Sequence, residues 1–376
     1  MYLLAGINSL VSGCYLGSRV LVALFALSLG IGPFGIGILV GLYAALSVVL
    51  AIHSGKIVDR LGARRPMIWG AAATVVALAI PWAFPVLPTL YVSATLMGGA
   101  FIFWNVAIQS LAGFVGKPED RPHNFSTLAL SYSVSSFIGP MAAGFIIEHG
   151  GHQLTYGVFT VVAVLGVLYP WFHPTALAAK PRAASTPAPR SDNLWKNPRL
   201  ARTFVSSGLV VTGWDLFIFY LPLYAHSLGL SPSRIGVLLG IFAGETFVIR
   251  FALPWMLRRV GGSHAAETVL SLSMFGAAIN YAAFPFVHDP WILAAMCFTI
   301  GLFMGCGQPL SLMLAFSRSP EGRTGETNGM RLMVNHVTHF AVPIAAGAAG
   351  AAFGMAPVFL ASAVLLGLSG WLIRDR

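Results

Sequence analysis

Charge is what this chain has least of. Of its 376 residues only 9% are charged, against 57% hydrophobic, and the mean hydropathy is +0.79. A soluble globular domain carries about 25% charged residues, so that class is excluded. Acids are scarcer than bases: 12 Asp and Glu against 22 Lys and Arg give a net charge of +10. Cysteine is nearly missing. Cys14, Cys297 and Cys306 all lie in apolar runs at no ligand-like spacing, so they read as small buried hydrophobes and not as a disulfide or metal site. No Gly-Lys-Ser/Thr phosphate loop is present, which speaks against ATP-driven transport. No nucleophile–base cluster or metal-ligand motif is visible either, so an enzyme, a bound metal and a cofactor are not expected. No basic n-region precedes the first apolar run, so no cleavable signal peptide is expected.

What the chain has in abundance is long apolar runs, each of roughly the 18–27 residues that a bilayer requires. Six fall at Leu3–Leu29, Gly35–Ser54, Met67–Phe84, Leu90–Gly113, Asn124–Ile147 and Thr155–Phe172. Six more fall at Thr203–Ala225, Ile235–Leu257, Thr268–Phe286, Trp291–Phe316, Thr327–Gly350 and Met355–Ile373. Between the sets, Pro174 to Pro198 is rich in Pro, Ala and basic residues and reads as a linker. The expected fold is therefore all-α, with twelve transmembrane helices in two six-helix bundles. Residues 1–173 form the first, 174–198 the linker and 199–376 the second.

Nearly all Lys and Arg then sort into alternate loops and the C-terminus. Only Arg234 falls in the opposite loops, and Arg19, Arg250 and Arg331 lie inside spans. That asymmetry is the positive-inside rule. The net charge thus reports topology and gives no reason to expect a nucleic-acid partner. Linker and both termini are expected in the cytoplasm, with the chain in a bacterial-type inner membrane and monomeric.

The halves repeat each other at an offset of 199 residues. Ser28-Leu29-Gly30 matches Ser227-Leu228-Gly229, Pro33 matches Pro232, Ile36-Gly37 matches Ile235-Gly236, Gly41 matches Gly240, and Gly62 matches Gly261. Between spans two and three lies Gly55-Lys56-Ile57-Val58-Asp59-Arg60-Leu61-Gly62-Ala63-Arg64-Arg65, a short hairpin with four cations and one acid. Its pattern resembles the signature of the major facilitator superfamily of secondary transporters, with Ala63 where that family usually has a basic residue. In the second half Arg258-Arg259 stands where Asp59-Arg60 stands in the first, so the acid is not repeated. The resemblance implies two pseudo-symmetric bundles, alternating access, and a substrate site near the midplane. It also gives Gly55, Asp59, Arg60, Gly62, Arg64 and Arg65 a gating role. Asp59 would meet the helix start around Thr324 to Asn328, where backbone N–H groups favour an anion. A second, partial resemblance is Gly139-Pro140-Met141-Ala142-Ala143-Gly144, similar to the Gly-Pro motif of facilitator exporters, with Ala143 replacing one glycine. There Gly139, Pro140 and Gly144 would kink a helix or let a neighbour pack closely. The fourth-span arginine of many proton-coupled drug exporters has no counterpart near Ser93-Ala94-Thr95.

Charges inside spans are costly and usually functional. Arg19, Arg250 and Arg331 outnumber Asp215 and Glu245 by one, so an anionic substrate could complete the neutralisation. Glu245 and Arg250 are five apart, on different faces of one helix. Span eleven carries a polar stripe, Asn328, Arg331, Asn335 and His339, expected to face a cavity. Span four carries Asn105 and Gln109 one turn apart, beside Phe101 and Trp104. Asp215 and Glu245 are candidates to carry a coupling proton. Arg19, Asn105, Gln109, Arg250, Arg331, Asn335 and His339 are candidates to bind substrate. The expected activity is proton-coupled export of a small anionic or amphipathic organic molecule. Uptake of an organic anion with protons is the alternative, and a non-transporting receptor or lipid-flipping protein of the same fold is a third reading.

Overall fold

The computed structural model describes residues 1–114, 121–172, 194–262, 264–320 and 323–374. Among these there is no strand. The helices are α1 (Tyr2–Ser28), α2 (Pro33–Leu61), α3 (Arg64–Ala83), α4 (Leu87–Phe114), α5 (Arg121–Phe172), α6 (Pro198–Ser227), α7 (Pro232–Val260), α8 (Ala265–Ala283), α9 (Pro290–Gly305), α10 (Gly307–Ser317), α11 (Thr324–Phe353) and α12 (Met355–Ile373). Ten stretches of the described residues are long and apolar enough to cross a bilayer. One of these, within α5, is two helices meeting at Gly151, whose φ of 77° lies outside the helical region. Another joins α9 and α10 across Cys306. With α7 the twelve-span architecture fits.

The internal repeat is visible in backbone geometry. Gly30 has φ 78° and Gly229 φ 75°. The N–H of Ile31 bonds to the carbonyl of Ala26 at 3.0 Å, and that of Leu230 to Ala225 at 3.1 Å. These are the same helix stop, with glycine in the left-handed region and a six-to-one bond closing the end. Pro33 and Pro232 then open the next helices, where the missing N–H costs nothing. Gly62 and Gly261 are likewise both at positive φ, 75° and 63°.

By contacts the chain divides into two compact units. Unit 1 is Met1–Ser185 with Ala225–Gly240, and unit 2 is Thr186–Tyr224 with Ile241–Arg376. Lipid is as apolar as leucine, so packing and internal hydrogen bonds hold each unit together. In unit 1 the core of Val11, Met67, Ala71, Trp104 and Leu111 surrounds a buried polar knot. Asn8 donates to Ser131 Oγ at 2.8 Å and accepts from Trp104 Nε1 at 2.9 Å and Ser12 Oγ at 3.1 Å. It thereby ties α1 to α4 and α5. Unit 2 is built on stacked and edge-on rings: Phe217 against Phe242, Tyr281 and Phe284, and Phe359 against Phe284. Asn8→Ala strips the knot of its centre. It should cost about 2 kcal/mol, as interhelical bonds in membranes are worth roughly 0.6–1.7 each. The check is a lowered melting temperature of the detergent-solubilised protein, and an unchanged value would mean the knot contributes nothing.

Candidate functional site

In unit 2, α6 and α11 meet along polar side chains. Asp215 of α6 is fully buried, and its Oδ2 lies 2.5 Å from Nδ1 of His339, whose side chain is 35% exposed. Two turns away, Ser207 donates to Asn335 Oδ1 at 3.0 Å. Arg331 is buried. Its Nη1 donates to Gln308 Oε1 at 3.0 Å and Ser311 Oγ at 3.4 Å on α10, and its Nε to Asn328 Oδ1 at 3.4 Å. The stripe on α11 is therefore largely engaged inside unit 2, where it joins α11 to α6 and α10. His339 is its more open end. His336 stands beside it, ring centroids 6.3 Å apart.

Glu245 of α7 is 1% exposed, and its Oε2 is buried with no hydrogen-bond partner among the described residues. It sits against α9, where a Cβ added to Gly301 would come within 2.5 Å of its Cγ. A bare residue at 301 leaves just enough room for the carboxylate side chain. The side chain of Arg250 lies outside the described residues.

Unit 1 holds the other candidates. Gln109 donates to Asn105 Oδ1 at 2.5 Å, and Asn105 donates to the Tyr132 hydroxyl at 3.1 Å. Tyr15 stacks on Phe101 with centroids 3.8 Å apart and meets Tyr43 edge-on, and Tyr43 donates to Ser18, the neighbour of Arg19. Phe101 and Asn105 are half-buried and Gln109 is exposed, whereas Trp104 is fully buried. One side of α4 thus carries open aromatic and amide groups, and the tryptophan serves the core.

Of the basic hairpin, Gly55 lies in α2 and Gly62 ends it with a positive φ. Arg60 and Arg65 are exposed. Arg64 is anchored on backbone, with its Nε donating to the Pro170 carbonyl at 2.8 Å and its Nη2 to that of Trp171 at 3.3 Å. A cation there satisfies the orphan carbonyls at the C-terminal end of α5. The side chain of Asp59, and those of residues 324–326 expected near it, lie outside the described residues.

Gly139 and Gly144 mark close approaches of α5. A Cβ on Gly139 would stand 2.5 Å from the Gly13 carbonyl oxygen of α1. One on Gly144 would collide with the Pro232 carbonyl, in the Ala225–Gly240 segment of unit 1. Pro140 sits within helix. Beyond this contact, Glu148, in the hairpin between the two spans of α5, accepts from the Ser233 N–H at 2.9 Å. Bonds from Ser231 and Ser233 hold its carboxyl below the usual range, at about 2. A lowered value means the contact is present above the ordinary carboxylate range and is lost only as pH falls toward 2. The melting-temperature difference between wild type and Glu148→Gln should therefore stay constant between about pH 5 and 8. Below that range the difference should shrink as the carboxyl becomes protonated, and a difference that stayed flat through the acid range would show that folding does not lower its value.

The Asn8 knot and Ser207, the partner of Asn335, escape sequence reading, because a lone Asn or Ser in an apolar run carries no spacing signal. The Glu148 contact escapes it too, joining residues 85 apart.

Apolar helices in numbers to fit twelve spans, ionisable side chains buried within them, and a repeated half define a multi-pass membrane protein of transporter type. Solved structures agree on the fold. The nucleoside transporter NupG superposes with a TM-score of 0.80 at 16% identity, covering 99% of this chain and 98% of that one. The peptide transporter POT in complex with sulfate gives 0.82 at 16%, covering 98% and 92%. The sequence pattern of the Major Facilitator Superfamily matches residues 1–343, and the chain belongs to that family. Among curated relatives, the multidrug resistance protein MdtH of Yersinia pestis (strain Pestoides F) is 22% identical over 265 residues. That match covers 67% of this chain and 63% of MdtH.

Proposed function

We propose that this transporter exports a small amphipathic or anionic organic molecule across a bacterial inner membrane, driven by protons, as a monomer with both termini in the cytoplasm. The observation that carries the reading is the buried Asp215–His339 pair. A buried acid hydrogen-bonded to a half-buried imidazole offers a place for a proton to pass between the interior and the open side. Glu245, buried without a described partner, is the second proton candidate. Substrate would be met by the open face of unit 1, with Phe101, Asn105 and Gln109 on α4 and Arg19 on α1 supplying aromatic, amide and cationic groups. Arg331, Asn335 and Arg250 are the substrate-binding candidates of unit 2, Arg331 with part of its donor set already engaged. Asp59 and its hairpin would gate. The relation to a multidrug resistance protein favours export.

The test is flux in proteoliposomes with an imposed pH gradient, screening lipophilic and carboxylate compounds. Export predicts substrate movement against proton movement, with alkalinisation or acidification of the lumen matching it. Movement of substrate with protons in the same direction would favour uptake of an organic anion, the reading that rests on Arg19 and Arg331. Binding without flux for every compound would leave a receptor, and scrambling of labelled lipid a flippase; either would overturn the proposal.

A further inference from the structure

Unit 2 contains a cleft of about 600 Å³ that none of the residues above enters. Its walls include Arg202 in the second turn of α6, His264 just before α8, Glu267 in the first turn of α8, and Trp371 with Arg374 at the end of α12. The fold thus brings three helix ends to one face, and each brings a basic side chain. The volume lies within the usual range for ligand sites.

The charge of the cleft is one-sided. Its acid, Glu267, is 9% exposed and receives Arg318 Nη2 on Oε1 at 3.1 Å, so its charge is already matched. Arg202 and Arg374 are exposed and have no hydrogen-bond or ion-pair partner among the described residues. Helix α8 also starts without a side-chain cap, at His264 in the cleft wall. Two guanidinium groups beside an imidazole select an anion, and their planar forks suit phosphate oxygens. Trp371 is 55% exposed at a helix end, where an indole marks the boundary between lipid and water. An indole in that position suits an anion supplied from the headgroup layer.

We propose that the cleft binds a phosphate, supplied by the headgroup of an anionic glycerophospholipid. Basic pockets at the cytoplasmic ends of membrane helices take such groups through local charge. The occupant would bridge α6, α8 and α12 and so brace unit 2, independently of what the transporter carries.

The experiment uses the full chain, delipidated in a neutral detergent. Phosphatidylglycerol, phosphatidylcholine or inorganic phosphate is added, and the melting temperature and the lipid retained in native mass spectrometry are read. Phosphatidylglycerol should be retained and raise the melting temperature, and phosphatidylcholine should do neither. Arg202→Gln or Arg374→Gln should each raise the half-saturating phosphatidylglycerol concentration about fivefold, with Arg202→Lys and Arg374→Lys restoring part of it. Lys56→Gln, which removes a charge from unit 1, should leave it unchanged. Equal retention of the two lipids, or an equal loss in Lys56→Gln, would overturn the site. Stabilisation by inorganic phosphate with no effect of phosphatidylglycerol would overturn the lipid assignment. Should Arg202→Gln fail to fold, the wild-type lipid comparison and Arg374→Gln still decide.

Discussion

Asp215→Asn should abolish gradient-driven accumulation in proteoliposomes while leaving exchange of substrate down its own gradient intact. Each pH unit across the membrane is worth a factor of ten per coupled proton, so with a gradient of about one unit roughly tenfold accumulation should fall to the equilibrium ratio. The amide is isosteric, keeps a partner for His339, and cannot ionise, so the helix contact survives and the proton site does not. His339→Gln should uncouple in the same sense, because it replaces the half-exposed imidazole bonded to the buried carboxylate. A structural ion pair predicts something else: both variants would express poorly and melt early, and the residual transport would stay fully coupled. If Asp215→Asn remains coupled and Glu245→Gln does not, the proton belongs to Glu245, the other buried acid.

Both acids are legible in the sequence because ionisable residues in apolar runs are so rare that each stands out. Their surroundings are not. That Asp215 faces His339 depends on the rotational setting of α6 against α11, which residue spacing within one helix cannot fix. The stripe on α11 shows the limit from the other side. Its periodicity is plain, and lipid has to be excluded from it, but a polar face can be satisfied by a cavity or by a neighbouring helix. For Arg331 and Asn335 part of that satisfaction comes from Gln308, Ser311 and Ser207 on neighbouring helices.

The fold is more readable, for a reason visible at Gly30 and Gly229. A helix that must stop abruptly at the membrane surface needs a residue at positive φ, and the glycine then recurs wherever the stop recurs. The pair Gly151 and Gly354, with φ of 77° and 83°, marks equivalent stops that drifted out of the 199-residue register. Arg64 stands out by motif, but its motif suggests gating alone, and its geometry adds a cap on the end of α5. Motif resemblance names positions that matter; only geometry says to which neighbour.

Gly144→Val should reduce transport by more than tenfold and destabilise the protein by about 1–3 kcal/mol, the usual cost of overpacking. The neighbour is backbone and cannot turn aside: a Cβ at 144 meets the Pro232 carbonyl oxygen and lies 3.1 Å from Gly236 Cα, and one at 236 lies 2.7 Å from the Pro140 carbonyl oxygen. On its other side α5 is equally constrained, since a Cβ on Gly17 would stand 2.6 Å from the Gly139 carbonyl oxygen. The helix is held between α1 and the start of α7 with no slack, so even Gly144→Ala should be harmful. Two controls separate this from a general intolerance of glycine replacement. Gly6→Ala enters open space, and Gly240→Ala meets the side chain of Met141, which can bend away; both should transport nearly as wild type. In a protein that alternates between states, a contact this close is either made or left entire, because a half-open glycine interface loses its packing without gaining lipid. A substitution that forbids it therefore removes one state of the cycle, and Gly144→Val should keep measurable ligand binding after turnover has gone. Wild-type turnover and melting temperature in Gly144→Val would show that the close approach of α5 and α7 has no part in the working protein.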